Sequence, residues 1–291
     1  MKKVAPPSLI KWTGSKRSQA AEIASYFPES ANCGTYYEPF VGSGAVLFYA
    51  ATHFKKAIAS DIYSPLIDLW LKIKQTPNVV IKQYAFDWKK LQENFPDYFY
   101  EVRERFNRDK TGIDLLFLSR TCVNGIIRFN SEGAFNNSIH LSRRGMLPDK
   151  FEKIVNQWTQ VISKVNFEVQ DYQAILSKVN ENDFVYLDPP YANSHNRYIN
   201  NLDIDRFLQF LYDLNSRKVK WALSFDGNRG DADLSYQLPN DLYSFKTLIT
   251  SGNSAVQKVL NSSVESVQES LYLNYSPEKH NEKKTEQFLL F

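Results

Sequence analysis

Apolar and polar positions alternate in two rhythms along the chain, a short β-like one and a longer helical one. A brief aromatic run at Thr35-Tyr36-Tyr37 leads through Glu38-Pro39-Phe40 into a turn punctuated by Gly42-Ser43-Gly44, and the next apolar positions predict a helix from about Ala45. Residues Ala57 to Ser60 predict a short strand with Asp61 at its tip. Ser64-Pro65 then have N-cap and first-turn character for a helix through Ile73. The rhythm resumes after residue 150 with a helix around 149–165, a strand in "NFEVQD", a short helix in "YQAILSKV" and the strand "DFVYL". "DIDRFLQFLYDLNSRKV" is a strongly amphipathic helix and "KWALSF" a strand, followed by the turn-rich loop "DGNRGDADLSYQLPND". "SVQESLYLNYS" alternates as a late strand, and the last fifteen residues read as a charged tail.

Strand, helix, strand, helix is the opening of a parallel sheet, so the expected fold is α/β with a Rossmann-like, mostly parallel sheet. Residues 76 to 150 break that order. Charged and aromatic helical pieces surround "RTCVNGIIRFNSEGAFNNS", where Asn124-Gly125 and Glu132-Gly133 are turn signals between β-prone runs. The expected organisation is therefore a core domain of residues 1–75 and 151–291. Into it is inserted a smaller, mainly helical domain of residues 76–150 that carries a β-hairpin.

At 291 residues, 43% of them apolar, the chain can bury a large core; the mean hydropathy of −0.42 and the absence of a bilayer-length apolar run indicate no membrane span. The N-terminus lacks the apolar stretch of a secretory signal, so the chain is read as cytoplasmic from near Met1. Cys33 and Cys122 are isolated and the four histidines scattered, which fits reduced thiols and no metal site. The net charge of +3 is small, but it is unevenly distributed. Residues 1–17 hold Lys2, Lys3, Lys11, Lys16 and Arg17 with no acid, and residues 103–144 hold seven arginines and one lysine against four acids. A solvated basic face and a polyanion-binding face both fit this pattern.

Two stretches carry chemistry. Gly42 and Gly44 at the first strand-to-helix turn let a ligand approach the backbone, and Asp61, 17 residues after Gly44, stands where an acid takes a ribose diol. A plain structural turn is the alternative, and the missing third glycine speaks against a dinucleotide. In "VYLDPPY", Pro189 and Pro190 force the chain out of the sheet at its carboxyl end, leaving Asp188, the Pro189 carbonyl and Tyr191 on a stiff support. An exocyclic amino group on a planar base is a poor nucleophile until both hydrogens are held, and Asp188 with a neighbouring carbonyl could hold them while Tyr191 stacks on the base. A strand-ending turn with an exposed acid is the plain alternative.

"IKWTGSKR", "YYEPFVGSGAVLF", "ASDIYSPLI", "RTCVNGIIRFNSEGAFN" and "VYLDPPY" occur in the order found in the Dam-like (D12 class) adenine-N6 DNA methyltransferases. The chain resembles that family over most of its length, in the style of restriction-modification members such as the EcoRV-type modification methylase. The resemblance implies a methyltransferase fold, S-adenosylmethionine as cofactor and double-stranded DNA as partner. It also implies a functional pairing with a restriction endonuclease without a stable complex, and a monomer or weak dimer. Carried over by position, Trp12 and Lys16 hold the methionine end of the cofactor, Phe40, Gly42 and Gly44 line its bed, Asp61 takes the ribose, Asp171 contacts the adenine and Asp188 also borders the cofactor. An N-cap role for Asp171 is an equal reading. Asp188, Pro189, Pro190 and Tyr191 become the catalytic motif, and the target adenine is flipped out of the duplex. Asn124, Arg128 and Asn130 become DNA contacts, with Arg128 as a guanine reader. Ser15, Val123 and "FNNSIH" depart from the family pattern, which leaves the base readout open.

Overall fold

The computed structural model of the protein describes residues 6–29, 33–190, 202–229, 232–233, 237–253 and 266–277. In chain order the regular elements are α1 (Ala20–Ser25), β1 (Thr35–Glu38), α2 (Leu47–His53), β2 (Lys56–Asp61), α3 (Ser64–Gln75), α4 (Pro77–Glu93), α5 (Asp97–Asp109), α6 (Gly112–Thr121), α7 (Pro148–Val161), β3 (Val165–Val169), β4 (Phe184–Leu187), α8 (Ile204–Ser216), β5 (Lys220–Arg229), β6 (Ala232–Asp233), β7 (Phe245–Asn253) and β8 (Ser266–Leu273).

These strands form one sheet in the order β3-β2-β1-β4-β5-β8-β7, with β6 paired to β5. Neighbours from β3 to β5 are parallel, while β8 runs antiparallel to both β5 and β7. The expected mostly parallel α/β sheet is present. Its order reverses at β1, which has β2 on one side and β4 on the other; ligands of such sheets bind beyond the carboxyl ends of the strands at that point. Both motif-bearing turns lie there.

Strand β4 shows why its sequence is apolar throughout. All four residues are buried, Phe184 and Tyr186 in the core on one face and Val185 and Leu187 in the core on the other, as a central parallel strand covered by helices requires. On the second face α8 buries Phe207, Phe210, Leu211 and Leu214, a helical i, i+3, i+4, i+7 stripe, and Asp203 caps it by accepting the Arg206 N–H at 3.1 Å.

The helices α4 to α6 join the core of the first face, which runs without a break to Phe99, Phe106 and Phe117. Helix α6 approaches α3 so closely that a Cβ on Gly112 would lie 2.4 Å from the Leu69 nitrogen, and the Gly112 N–H donates to Asp68 Oδ2 at 2.7 Å. Among the described residues, no helix is long and apolar enough to cross a membrane.

Several elements differ from the sequence reading. Strand β7 and helix α1 were not expected, and β5 continues through Arg229 into the segment read as loop, because β8 offers it a partner as far as Val267. Helix α2 starts at Leu47, two residues late, since Ala45 and Val46 complete the glycine turn. Ser64 is the first helical residue and Tyr63 the cap position. Residues Tyr172–Ser177 form a 3-10 helix. The hairpin at 122–139 pairs only through isolated bridges, Cys122 with Ile139 and Phe129 with Phe135. Most of the charged C-terminal tail lies outside the described residues.

Candidate active site

The turn after β1 forms the floor of the site. Gly42 and Gly44 adopt φ values of +46° and +68°, which strain any other residue; a Cβ on Gly42 would press on Trp12 Cδ1 at 3.1 Å, and one on Gly44 would collide with Trp70 Cζ2 at 2.9 Å. Trp70 fixes the turn from beneath by donating its indole N–H to the Gly42 carbonyl at 3.2 Å. Asp61, at the tip of β2, accepts the Tyr63 N–H at 3.0 Å and the Gly42 N–H at 3.4 Å, tying the two strand ends together. Burial pushes its carboxyl up to about 6, against the opposing pull of these backbone donors.

The exit of β4 forms the opposite wall. Lys16 is buried, and its Nζ donates to Asp188 Oδ1 at 2.6 Å and to the Gly14 carbonyl at 3.2 Å, with Glu269 Oε2 of β8 at 3.6 Å. Desolvation raises the Asp188 carboxyl to about 6, Lys16 pulls it down and Glu269 pushes it up. Glu38, at the end of β1, accepts the Tyr36 hydroxyl at 2.6 Å; burial holds its carboxyl well above the usual range. Two carboxyl groups, Asp188 and Glu269, thus flank the Lys16 ammonium, and the charge of Asp188 also acts on Glu38.

Between these walls lies a cleft of about 470 Å³, in the range of small-molecule sites. Its lining includes every described residue expected at the cofactor and catalytic positions except Gly44: Trp12, Lys16, Phe40, Gly42, Asp61, Asp171, Asp188, Pro189 and Pro190. Gly44 lies just behind, shaping the turn. Phe40 stacks on Tyr172 with ring centres 5.3 Å apart. Asp171 caps the helix at Tyr172–Ser177 by accepting the Gln173 N–H at 3.0 Å, the N-cap reading, and it also pairs with Arg206 at 2.8 Å. Tyr191 lies outside the described residues.

The hairpin contributes Ile127 and Phe129 to the same cleft, and Phe129 packs edge-on against Tyr63, which in turn lies 6.1 Å from Trp12. The chain regions 12–16, 38–46, 61–63, 127–129, 171–172 and 188–190 therefore meet in one place. A match to the family model of the D12 class N6 adenine-specific DNA methyltransferases spans residues 12–264 and so takes in all of them. The chain belongs to that family.

This D12 methyltransferase is 30% identical over 240 residues to the type II methyltransferase M.MjaIII of Methanocaldococcus jannaschii, covering 74% of the chain and 82% of that protein. It is 28% identical to the type II methyltransferase M.CviBI of Paramecium bursaria Chlorella virus NC1A over 65% of the chain and 71% of that protein. It is 31% identical to the DNA adenine methylase of Haemophilus influenzae, with 63% of each chain covered. The enzyme is an adenine-N6 DNA methyltransferase, as the sequence motifs implied.

The three residues expected at the DNA sit on the hairpin, and each is exposed. Asn124 has φ +56° and forms a tight turn with Gly125. Asn130 spends its carboxamide oxygen on the next turn, accepting the N–H groups of Glu132 at 3.1 Å and Ala134 at 2.8 Å. Arg128 is held by Asn136 through its Nε at 2.9 Å. Sequence reasoning missed Glu38, Glu269 and Asn136. Glu38 lay inside a quoted motif, where a lone acid between apolar residues of a buried strand was a usable signal; Glu269 carried none because its partner Lys16 is distant in sequence, and the pairing of Asn136 with Arg128, eight residues away, depends on the hairpin register.

Proposed function

We propose that this methyltransferase takes S-adenosylmethionine in the cleft and transfers its methyl group directly to N6 of an adenine flipped out of double-stranded DNA. The observation that carries this reading is the placement of Asp188, paired with Lys16, across one cleft from the Gly42 turn and Asp61.

The residues present fit the cofactor. The left-handed turn at Gly42 carries no side chain between the backbone and a ligand edge, Asp61 offers carboxylate oxygens suited to a ribose diol, and Trp12 and Lys16, which line the same cleft, are assigned to the methionine portion. Phe40 and Asp171, which line the same cleft, are assigned to its adenine. When bound, S-adenosylmethionine supplies a methyl group on a positively charged sulfur. Asp188 accepts one hydrogen of the target amino group and the Pro189 carbonyl the other, which turns the nitrogen lone pair toward the methyl. Tyr191 stacks on the base. A carboxyl with a pKa of about 6 is ionised at neutral pH and can accept that hydrogen. Rate enhancement then comes from positioning and electrostatics, with near-attack geometry supplying up to about 7–11 kcal/mol.

Extrusion of the adenine costs a few kcal/mol of stacking and pairing. We assign its compensation to residues 76–150 as a target-recognition unit in which Asn124, Arg128 and Asn130 meet the duplex. The type II names of two relatives favour a functional partnership with a restriction endonuclease, and a DNA substrate favours a cytoplasmic site of action. The test is Asp188→Ala: the variant binds S-adenosylmethionine in calorimetry and binds duplex DNA, yet transfers no methyl group. Wild-type turnover in that variant ends the mechanism.

A further inference from the structure

We propose that Asn136 is a specificity-positioning residue, which turns the guanidinium of Arg128 so that its Nη1/Nη2 edge faces a guanine. The inference rests on the reading of Arg128 as a base contact. Three hydrogen bonds join the two residues. The Asn136 N–H donates to the Arg128 carbonyl at 3.0 Å, Arg128 Nε donates to Asn136 Oδ1 at 2.9 Å, and Arg128 Nη2 donates to the Asn136 carbonyl at 3.3 Å.

An arginine has five N–H donors and two edges that can form a fork, Nε with Nη2 and Nη1 with Nη2. Guanine presents two acceptors, N7 and O6, to one such fork. Asn136 occupies the Nε side, so only the Nη1/Nη2 edge remains with both donors available for a bidentate contact. The amide does this without a charge of its own, leaving the full positive charge of Arg128 for the DNA. An acid at the same place would orient the side chain and neutralise it.

The support beneath Asn136 is fixed from both sides. Asn107 of α5 accepts the Phe135 N–H at 2.7 Å and donates to the Phe135 carbonyl at 3.0 Å. Asn137 is buried and donates to the Val123 and Ile126 carbonyls at 3.0 and 2.8 Å. An exposed arginine otherwise loses much rotamer freedom on binding; one held in advance loses less, and that difference appears in affinity only where the contact is made.

The experiment begins with the methylome of cells expressing the enzyme, which gives the target sequence. Dissociation constants of the full-length protein are then measured by fluorescence anisotropy on the target duplex and on each single-base-pair variant. Calorimetric binding of S-adenosylmethionine serves as the folding control. Asn136→Ala and Arg128→Ala should relax preference at the same base pair, each by about tenfold or more, and the double variant should lose no more than Arg128→Ala alone. Asn136→Asp should keep the preference while weakening binding to every duplex. If Asn136→Ala weakens all duplexes equally, or relaxes a different base pair from Arg128→Ala, the positioning role is overturned while the reading of Arg128 stands. If Arg128→Ala itself relaxes no base pair, both are overturned.

Discussion

Replacing Lys16 with methionine removes the ammonium 2.6 Å from Asp188 while keeping most of the buried volume. At an effective dielectric of about 20 the pair interaction is about 6 kcal/mol, an upper figure. A third of it, about 2 kcal/mol, raises the Asp188 pKa by roughly 1.5 units. In the wild type Asp188 sits at about 6, so the transfer rate should climb through that pH and level off above it. Lys16→Met moves this limb to about 7.5. At pH 6.5 the wild type then keeps roughly three quarters of its plateau rate and the variant roughly a tenth. The assay is single-turnover methylation of duplex DNA between pH 5.5 and 9, with enzyme in excess and S-adenosylmethionine saturating for each protein. A lower plateau with an unmoved limb would refute the coupling and confine Lys16 to cofactor binding.

Four further outcomes are expected. Asp61→Asn should weaken S-adenosylmethionine binding about tenfold or more in calorimetry and leave duplex binding unchanged; equal affinity would remove Asp61 from the site. Gly112→Ala forces a Cβ to within 2.4 Å of backbone at Leu69 and 2.6 Å of the Pro65 carbonyl, so urea denaturation should show a loss of about 3 kcal/mol or more from the α3–α6 contact. Gly44→Ala combines a left-handed backbone with a 2.9 Å approach to Trp70 and should cost about 2–4 kcal/mol by the same measurement. For stability against pH, Asp61 and Asp188 both have folded pKa values of about 6, raised above the unfolded ones. The stability they contribute is present below about pH 4 and is lost as pH rises to about 6. Asp61→Asn should therefore flatten the fall in melting temperature between pH 4 and 7, and an unchanged slope would contradict the burial of that carboxyl.

The centre of the parallel half of the sheet was legible because β1, β2 and β4 each end in residues that local chemistry explains. Glycines at 42 and 44, Asp61 and the Pro189-Pro190 pair each mark a strand tip, and a sheet of parallel strands brings those tips to one edge. Strand β7 was not legible: between a turn-rich segment and a late strand, "FKTLITSGN" mixes polar and apolar residues and gains its identity only by pairing with β8. The Lys16 to Glu269 approach spans most of the chain, and no local pattern encodes it. The bond of Arg128 to Asn136 depends on the register of a hairpin whose ladder is reduced to isolated bridges, so spacing alone could not pair them. The expected N-cap at Ser64 failed because Asp61 holds the Tyr63 N–H and shifts the cap back one residue.

The most direct test of the account is nucleoside mass spectrometry of defined duplex DNA incubated with the purified protein and methyl-labelled S-adenosylmethionine. The account predicts label in N6-methyladenine alone, in the wild type and not in Asp188→Ala. Label in N4-methylcytosine, or equal label from both proteins, would contradict it.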